Sequence, residues 1–161
     1  MTAILPTMTT TVARLLVIAT PLYFTWEMLQ APAFTGMPDG WFAATLVCAM
    51  ATLGDAVIVL LLFGLGALLF RDQRWFHPPR LGRYLLIVVA GVAVQVAVEL
   101  VMVYRHGRWG YGPLHPLIAG IGVLPIVQPI VLLPLTLWLL SRWDGRVMRR
   151  GLAAGPRTPH G

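Results

Sequence analysis

Charged residues are scarce in this sequence. Asp, Glu, Lys and Arg make up 11% of the 161 residues and 58% are hydrophobic, whereas an ordinary soluble domain carries about 25% charged residues. The composition therefore excludes an ordinary soluble domain and predicts a membrane protein. Cysteine occurs once, as Cys48, which excludes an internal disulfide and a CxxC metal site. Serine also occurs once, as Ser141, so serine-type catalysis has little support.

Lysine is absent, and all 12 basic residues are arginines. A net charge of +6 would suggest a nucleic-acid partner in a soluble chain. Here nine arginines lie in the segments 71–83 and 142–157, while 31–40 holds none and 105–116 holds Arg105 and Arg108. The positive-inside rule predicts that both termini and the middle loop are cytoplasmic. A nucleic-acid partner is therefore not expected.

Long apolar runs dominate the rest of the chain. Four of them reach the roughly 20 residues that cross a bilayer, at about 13–34, 41–70, 82–104 and 117–141. We expect an all-α, multi-pass membrane protein with its four transmembrane helices in one compact bundle, 13–143. A short N-terminal tail, 1–12, precedes the bundle, and a basic tail without apolar periodicity, 144–161, is expected to be disordered. The first run could instead be a cleaved signal peptide, but its polar residues argue against this.

Aromatic residues cluster near the ends of the apolar runs. Such residues are typical of the aromatic belt at a membrane surface. The belt is expected to include Trp41, Trp75, Tyr84, Trp109, Trp138 and Trp143.

Three of the six acidic residues fall inside the predicted spans, as Glu27, Asp55 and Glu99. A charged side chain at the bilayer centre costs about 2.5–3.5 kcal/mol on insertion scales, so these carboxyls are expected to face one another. Glu27 and Glu99 should lie about two-thirds of the way across, on helices that run in the same direction. We expect them to form the chemical centre, where they share a proton or hold a cation, with all three acids as candidate catalytic groups.

Other polar and aromatic residues accompany these acids at helical spacing, and we expect them to line a ligand site in the outer half of the bundle. The expected ligand-binding residues are Tyr23, Trp26, Gln30, Gln95, Tyr104 and Gln128. A simpler alternative is that the polar residues only join the helices, at about 0.6 kcal/mol each. In the loop after the third run, Arg105, Arg108 and His115 are expected to contact lipid headgroups. No metal is expected, because the histidines lie outside the spans and no HExxH motif occurs.

Four short motifs carry a family resemblance. They are Trp26-Glu27-Met28-Leu29-Gln30, Gly54-Asp55-Ala56, Glu99 near the end of the third run, and Pro125-Ile126-Val127-Gln128. Over about residues 15–143 the chain resembles small four-helix inner-membrane proteins of bacteria with a WExxQ, GDA and PxxQ pattern. The resemblance implies a multi-pass protein of the bacterial inner membrane and no particular activity. In architecture alone, the chain is also similar to the sterol-isomerase and sigma-2-receptor group, where helices enclose buried carboxyls.

Three functions fit this pattern. The first is binding of, or acid–base chemistry on, a lipid-soluble molecule such as an isoprenoid, quinone or sterol-like compound. The second is a non-catalytic accessory subunit whose polar face meets a partner membrane protein. The third is a proton or cation pathway, which the apolar residues that follow Asp55 and Gln128 on the way to the cytoplasm disfavour. The sequence identifies no cofactor.

The distribution of arginines makes the topology testable. A reporter enzyme that is active only in the periplasm should be inactive when fused after Gly161, because nine arginines hold the middle loop and the C-terminal segment in the cytoplasm. The same reporter fused after Gly36 should be active. Activity of the Gly161 fusion would show the opposite orientation.

Overall fold

The structure is a computed structural model that describes residues 7–153, with side chains described through Val147. Four long helices dominate it: α1 Met8–Gln30, α2 Trp41–Leu69, α3 Leu81–Glu99 and α4 Val123–Ala153. A π-helical segment, Leu100–Arg105, continues α3, and a 3-10 turn, Ala31–Ala33, follows α1. All four helices are long and apolar enough to cross a membrane. The prediction of a mostly helical chain with four helices of membrane length is confirmed.

Each helix packs on its neighbours around the bundle. The main contacts join α1 to α2, α3 to α4 and α1 to α4, whereas α2 and α3 touch less. The two ends of the bundle differ. One, which we call the basic end, contains Arg14 of α1, the connection 70–80 and residues 141–147 of α4. The other, the capped end, carries the loops 31–40 and 106–122.

Short strands tie the loops of the capped end together. Strand β1, Phe34–Thr35, pairs antiparallel with β2, Gly110–Tyr111, and so joins the loop after α1 to the loop after α3. Strands β3, Leu117–Ile118, and β4, Ile121–Gly122, form a hairpin. Its two turn residues, Ala119 and Gly120, have φ angles of 51° and 83°, the positive values that a tight hairpin turn requires.

The hairpin corrects the predicted start of the fourth span. Residues 117–122 are apolar in sequence but form β3 and β4, and α4 begins only at Val123. The predicted disordered tail also begins too early, because α4 continues through 144–153. At the other terminus, α1 begins at Met8, inside the predicted tail 1–12, where the Thr7 hydroxyl accepts from the Thr10 backbone N–H. Residues 1–6 and 154–161 of the two predicted tails lie outside the described residues.

The connection between α2 and α3 folds into the bundle. Trp75 and Phe76 are fully buried, and the Trp75 indole N–H donates to the carbonyl of Phe63 at 3.1 Å. Tyr84 is also buried, and its hydroxyl donates to the carbonyl of Phe76 at 3.0 Å. The expectation that Trp75 and Tyr84 belong to a surface belt is therefore wrong. Their aromatic surface instead closes the apolar core at the basic end.

Gly66 of α2 makes room for the Trp75 indole. A Cβ atom at this position would overlap the ring carbons of Trp75. The nearby Gly64 faces open space. The two glycines therefore form a matched pair on one helix, and only one of them is required by packing.

We expect Gly66→Ala to destabilise the protein by about 1–3 kcal/mol, because the added methyl forces the buried indole to move. Gly64→Ala adds the same atom in open space and should leave stability unchanged or slightly higher. Thermal unfolding in detergent micelles, followed by tryptophan fluorescence, measures both. A Gly66→Ala protein that melts at or above the wild-type temperature would contradict this packing.

Candidate functional site

Each of the four helices brings one polar side chain toward the capped half of the bundle. They are Glu27 of α1, Asp55 of α2, Glu99 at the end of α3 and Gln128 of α4. Gln128 and Glu99 are only 1% and 2% exposed, Asp55 is buried and Glu27 is half-buried. The structure thus brings the three predicted acids and Gln128 to one region of the interior.

Gln128 joins two of the acids directly. Its amide nitrogen, Nε2, donates to Asp55 Oδ2 at 2.9 Å and to Glu27 Oε1 at 3.2 Å. The carboxyl groups of Glu27 and Asp55 also interact with each other. Gln128 lies in the second turn of α4, nearer the capped end than the predicted start at 117 implied. One amide group therefore connects α1, α2 and α4.

The Glu27 carboxylate has a second donor on its own helix. Gln30 Nε2 donates to Glu27 Oε1 at 2.7 Å, and the Trp26 indole N–H donates to Gln30 Oε1 at 2.9 Å. These bonds form because residues three and four apart in sequence lie on the same side of a helix. Together they orient Glu27 toward Gln128. We call Trp26, Glu27, Gln30, Asp55 and Gln128 the carboxyl cluster.

Glu99 has partners from the loop of the capped end. Its Oε2 atom accepts from the Tyr111 hydroxyl at 2.6 Å and, weakly, from the Trp109 indole N–H at 3.5 Å. Burial, together with the bond to Glu99, raises the pKa of Tyr111 to about 12. The hydroxyl therefore remains a donor at neutral pH. Glu99 thus fastens the loop to the helix bundle.

The expected pair of Glu27 and Glu99 is replaced by a different arrangement. Their charges interact across the bundle, but no hydrogen bond joins them among the described residues. Glu27 shares Gln128 with Asp55, while Glu99 turns to Tyr111. The physical reason is local, because a phenol hydroxyl satisfies a carboxylate better than a second carboxylate does.

The positive charges of the structure lie elsewhere. Among residues 7–147, ion pairs join Arg14 to Asp144 at 2.6 Å and Arg83 to Asp72 at 3.4 Å, both at the basic end. No arginine side chain in that range pairs with Glu27, Asp55 or Glu99. The carboxyl cluster therefore has no positively charged partner among the described side chains.

The other expected ligand-binding residues differ in their burial and in their contacts. Tyr23 is buried in α1, where it interacts with the charge of Asp55. Gln95 is half-buried and has no hydrogen bond with another described side chain. Tyr104 is 60% exposed and donates to the carbonyl of Gly120. Tyr23 therefore borders the cluster, whereas Tyr104 supports the hairpin instead.

The three residues expected at lipid headgroups differ in their exposure. Arg105 and Arg108 are exposed, as such contacts require. His115 is buried beneath Phe34 and Tyr111, and its Nδ1 atom lies 3.3 Å from the carbonyl of Ala33. Headgroup contact by His115 does not agree with this burial. The ring instead packs inside the cap, because β1 and β2 cover it.

Tyr111 is the member of the site that sequence reasoning misses. It lies in a glycine-rich loop, Gly110-Tyr111-Gly112, with no helical periodicity that would relate it to Glu99. The two glycines that flank Tyr111 are the sequence feature that could have indicated its close approach to the bundle. Gly112 approaches the carbonyl of Ala33 so closely that a Cβ atom would lie 3.0 Å from it, and this approach brings the tyrosine over the bundle.

A site for a transition metal needs several His, Cys, Asp or Glu side chains close together. Within residues 7–153, no group of three His, Cys, Asp or Glu side chains is arranged to hold a metal ion. The carboxyl cluster contributes two carboxyls and two amides, a donor set for protons and for cations held by oxygen.

Comparisons of the chain with protein-family models, curated proteins and solved structures find no match.

Replacing Tyr111 by Phe tests the link between the cap and Glu99. The change removes the donor at 2.6 Å and leaves a buried carboxylate short of a partner, so we expect a loss of about 1–3 kcal/mol of stability. Tyr104→Phe removes an exposed hydroxyl and should cost much less. Unfolding in detergent measures both variants, and equal losses would show that Glu99 does not depend on Tyr111.

Proposed function

We propose that the carboxyl cluster binds a lipid-soluble small molecule of the isoprenoid, quinone or sterol-like class and exchanges a proton with it. The observation that carries this proposal is the bridge formed by Gln128, whose amide holds Glu27 and Asp55 together within the apolar bundle. Helix association alone needs no ionisable side chains, since hydroxyl and amide groups serve that purpose. A pair of adjacent carboxyls can instead share one proton and pass it on.

Access from the lipid supports the same proposal. Glu27 and Trp26 are half-buried, whereas Asp55 and Gln128 are buried behind them. A molecule that arrives between the helices would meet Glu27 first. Asp55 and Gln128 would then set the orientation of Glu27 and supply or accept the shared proton.

The core below the cluster argues against a proton or cation pathway. Toward the basic end it is formed mainly by buried apolar side chains, among them Val59, Leu62, Phe63, Leu133 and Leu137. A conducting path would need polar groups or water through this layer. A pocket open only on its capped or lateral side fits these residues better.

We further propose that the basic end faces the cytoplasm and that the protein lies in the bacterial inner membrane. The structure gathers Arg14, the connection 70–80 and residues 141–147 at one end of the bundle. This common location supports a single orientation under the positive-inside rule.

Binding can be tested with detergent-purified protein and three probes: a short-chain quinone, farnesol and cholesterol. We expect at least one probe to raise the melting temperature of the wild-type protein and to be retained in native mass spectra. Asp55→Asn and Glu27→Gln preserve the size of each side chain but change its proton chemistry. These variants should stay folded and bind the probe about tenfold more weakly or worse, the scale of one charge-assisted hydrogen bond.

Asp39→Asn is the matched control, because Asp39 is an exposed acid in the loop 31–40. It should bind the probe as the wild type does. If no probe binds, or if all three variants bind equally, the cluster serves only to join helices or to meet a partner membrane protein, and the accessory-subunit hypothesis replaces the binding site.

A further inference from the structure

The basic end contains a cleft far from the carboxyl cluster. It has a volume of about 600 Å³ and lies between α4 and the connection 70–80. Its lining includes His77, Trp138, Ser141, Arg142, Gly145 and Arg146. A second cavity of about 370 Å³ shares Trp138, Arg142 and Arg146 with it. We propose that this cleft, which we call the basic cleft, binds a phosphate group, such as the headgroup phosphate of an anionic phospholipid.

The donors of the basic cleft come from two elements of the fold. Arg142 and Arg146 are four residues apart on α4 and so lie on the same side of the helix. Ser141 Oγ lies 2.8 Å from His77 Nδ1, which connects α4 to the connection 70–80. Guanidinium, imidazole and hydroxyl groups are the side chains that bind phosphate oxygens most readily.

The charge of the basic cleft is not cancelled by a nearby acid. Asp144 is the nearest acid in sequence, but it is fully buried and accepts from Arg14 at 2.6 Å. No carboxylate is among the described side chains that line the basic cleft. The two arginines therefore present net positive charge to a bound group.

Two further residues shape the basic cleft. The guanidinium of Arg142 lies over the Trp138 ring, 5.4 Å from its centre, which limits the positions that this arginine adopts. Trp138 is itself partly exposed, as an aromatic residue at headgroup level is. A Cβ atom at Gly145 would already lie in contact with the His77 ring, at 3.6 Å, so a larger side chain there would take up the space beside the ring. A basic pocket between helix ends is a known form of site for anionic headgroups.

Native mass spectrometry with defined lipids tests the proposal. The probes are phosphatidylglycerol and phosphatidylcholine with identical acyl chains, added to detergent-purified full-length protein. We expect the wild type to retain phosphatidylglycerol about tenfold better than phosphatidylcholine, and Arg142→Gln/Arg146→Gln to lose this preference. Arg71→Gln/Arg80→Gln removes the same charge at the basic end, where both arginines are exposed and lie outside the lining of the basic cleft, and should keep the preference. Melting temperatures in neutral detergent establish that each variant is folded, and single Arg→Gln changes replace any double variant that is not.

A second variant distinguishes binding inside the basic cleft from general attraction of lipid to surface charge. Gly145→Leu fills the space beside His77 without changing any charge, so it should also lose the lipid preference. Inorganic phosphate provides the remaining arm. If it raises the melting temperature of the wild type but not of Arg142→Gln/Arg146→Gln, while the two lipids bind equally, the basic cleft takes a soluble phosphate compound. Equal behaviour of the two arginine pairs in both assays, or an unchanged preference in Gly145→Leu, would overturn the proposal.

Discussion

The interior of a packed helix bundle offers a carboxyl group no water to bond with, so each buried acid needs a hydrogen-bond donor from the protein, and this constraint governs the capped half of the protein. Glu27, Asp55 and Glu99 each need a donor from another part of the chain. Gln128 meets the need of two of them, and Tyr111 meets that of the third. The donors come from α4 and from the loop of the capped end, so satisfying the acids also fixes how the helices and the loop are placed.

The two ends of the bundle use polar residues differently. At the capped end, negative groups are gathered without a positive partner among the described side chains. At the basic end, Arg14 and Asp144 neutralise each other in an ion pair in which Asp144 is fully buried and Arg14 is partly exposed. Breaking such a pair typically costs about 3–5 kcal/mol, because it leaves an uncompensated charge. The ion pair stabilises the contact between α1 and α4, whereas Glu27 and Asp55 share an amide donor and have no positively charged partner among the described side chains. This contrast supports the proposal that the carboxyl cluster takes part in proton exchange.

Much of this arrangement could be predicted from helical spacing. Cys48, Thr52 and Asp55 lie on one side of α2, and all three are buried as the spacing indicates. The cost of exposing acids to lipid predicted that Glu27, Asp55 and Glu99 face one another, but the sequence paired Glu27 with Glu99 rather than with Asp55. Sequence could not identify the partner of Glu99, because Tyr111 reaches it through a glycine-rich loop rather than a helix. It also misplaced Trp75, since an aromatic residue beside an apolar run is equally compatible with a membrane surface and with a closed core.

The apolar character of residues 117–122 explains why the fourth span was predicted to begin too early. Hydropathy alone extends the fourth span to include them, because it contains no information about the backbone angles of Ala119 and Gly120. Those angles reverse the chain within two residues, and the hairpin that results cannot be part of a helix. Hydropathy therefore recovered the number of membrane-length helices but not the start of the last one.

The bond between Glu27 and Gln128 has a consequence for how the protein is made. Its partners lie 101 positions apart in the chain, so Glu27 and Asp55 are synthesised well before their shared donor. Until α4 is made, the nascent chain carries these two acids without the amide that finally joins them, and such incomplete intermediates are the species most prone to misassembly. The carboxyl cluster can therefore be completed only when the last helix has packed against the first two.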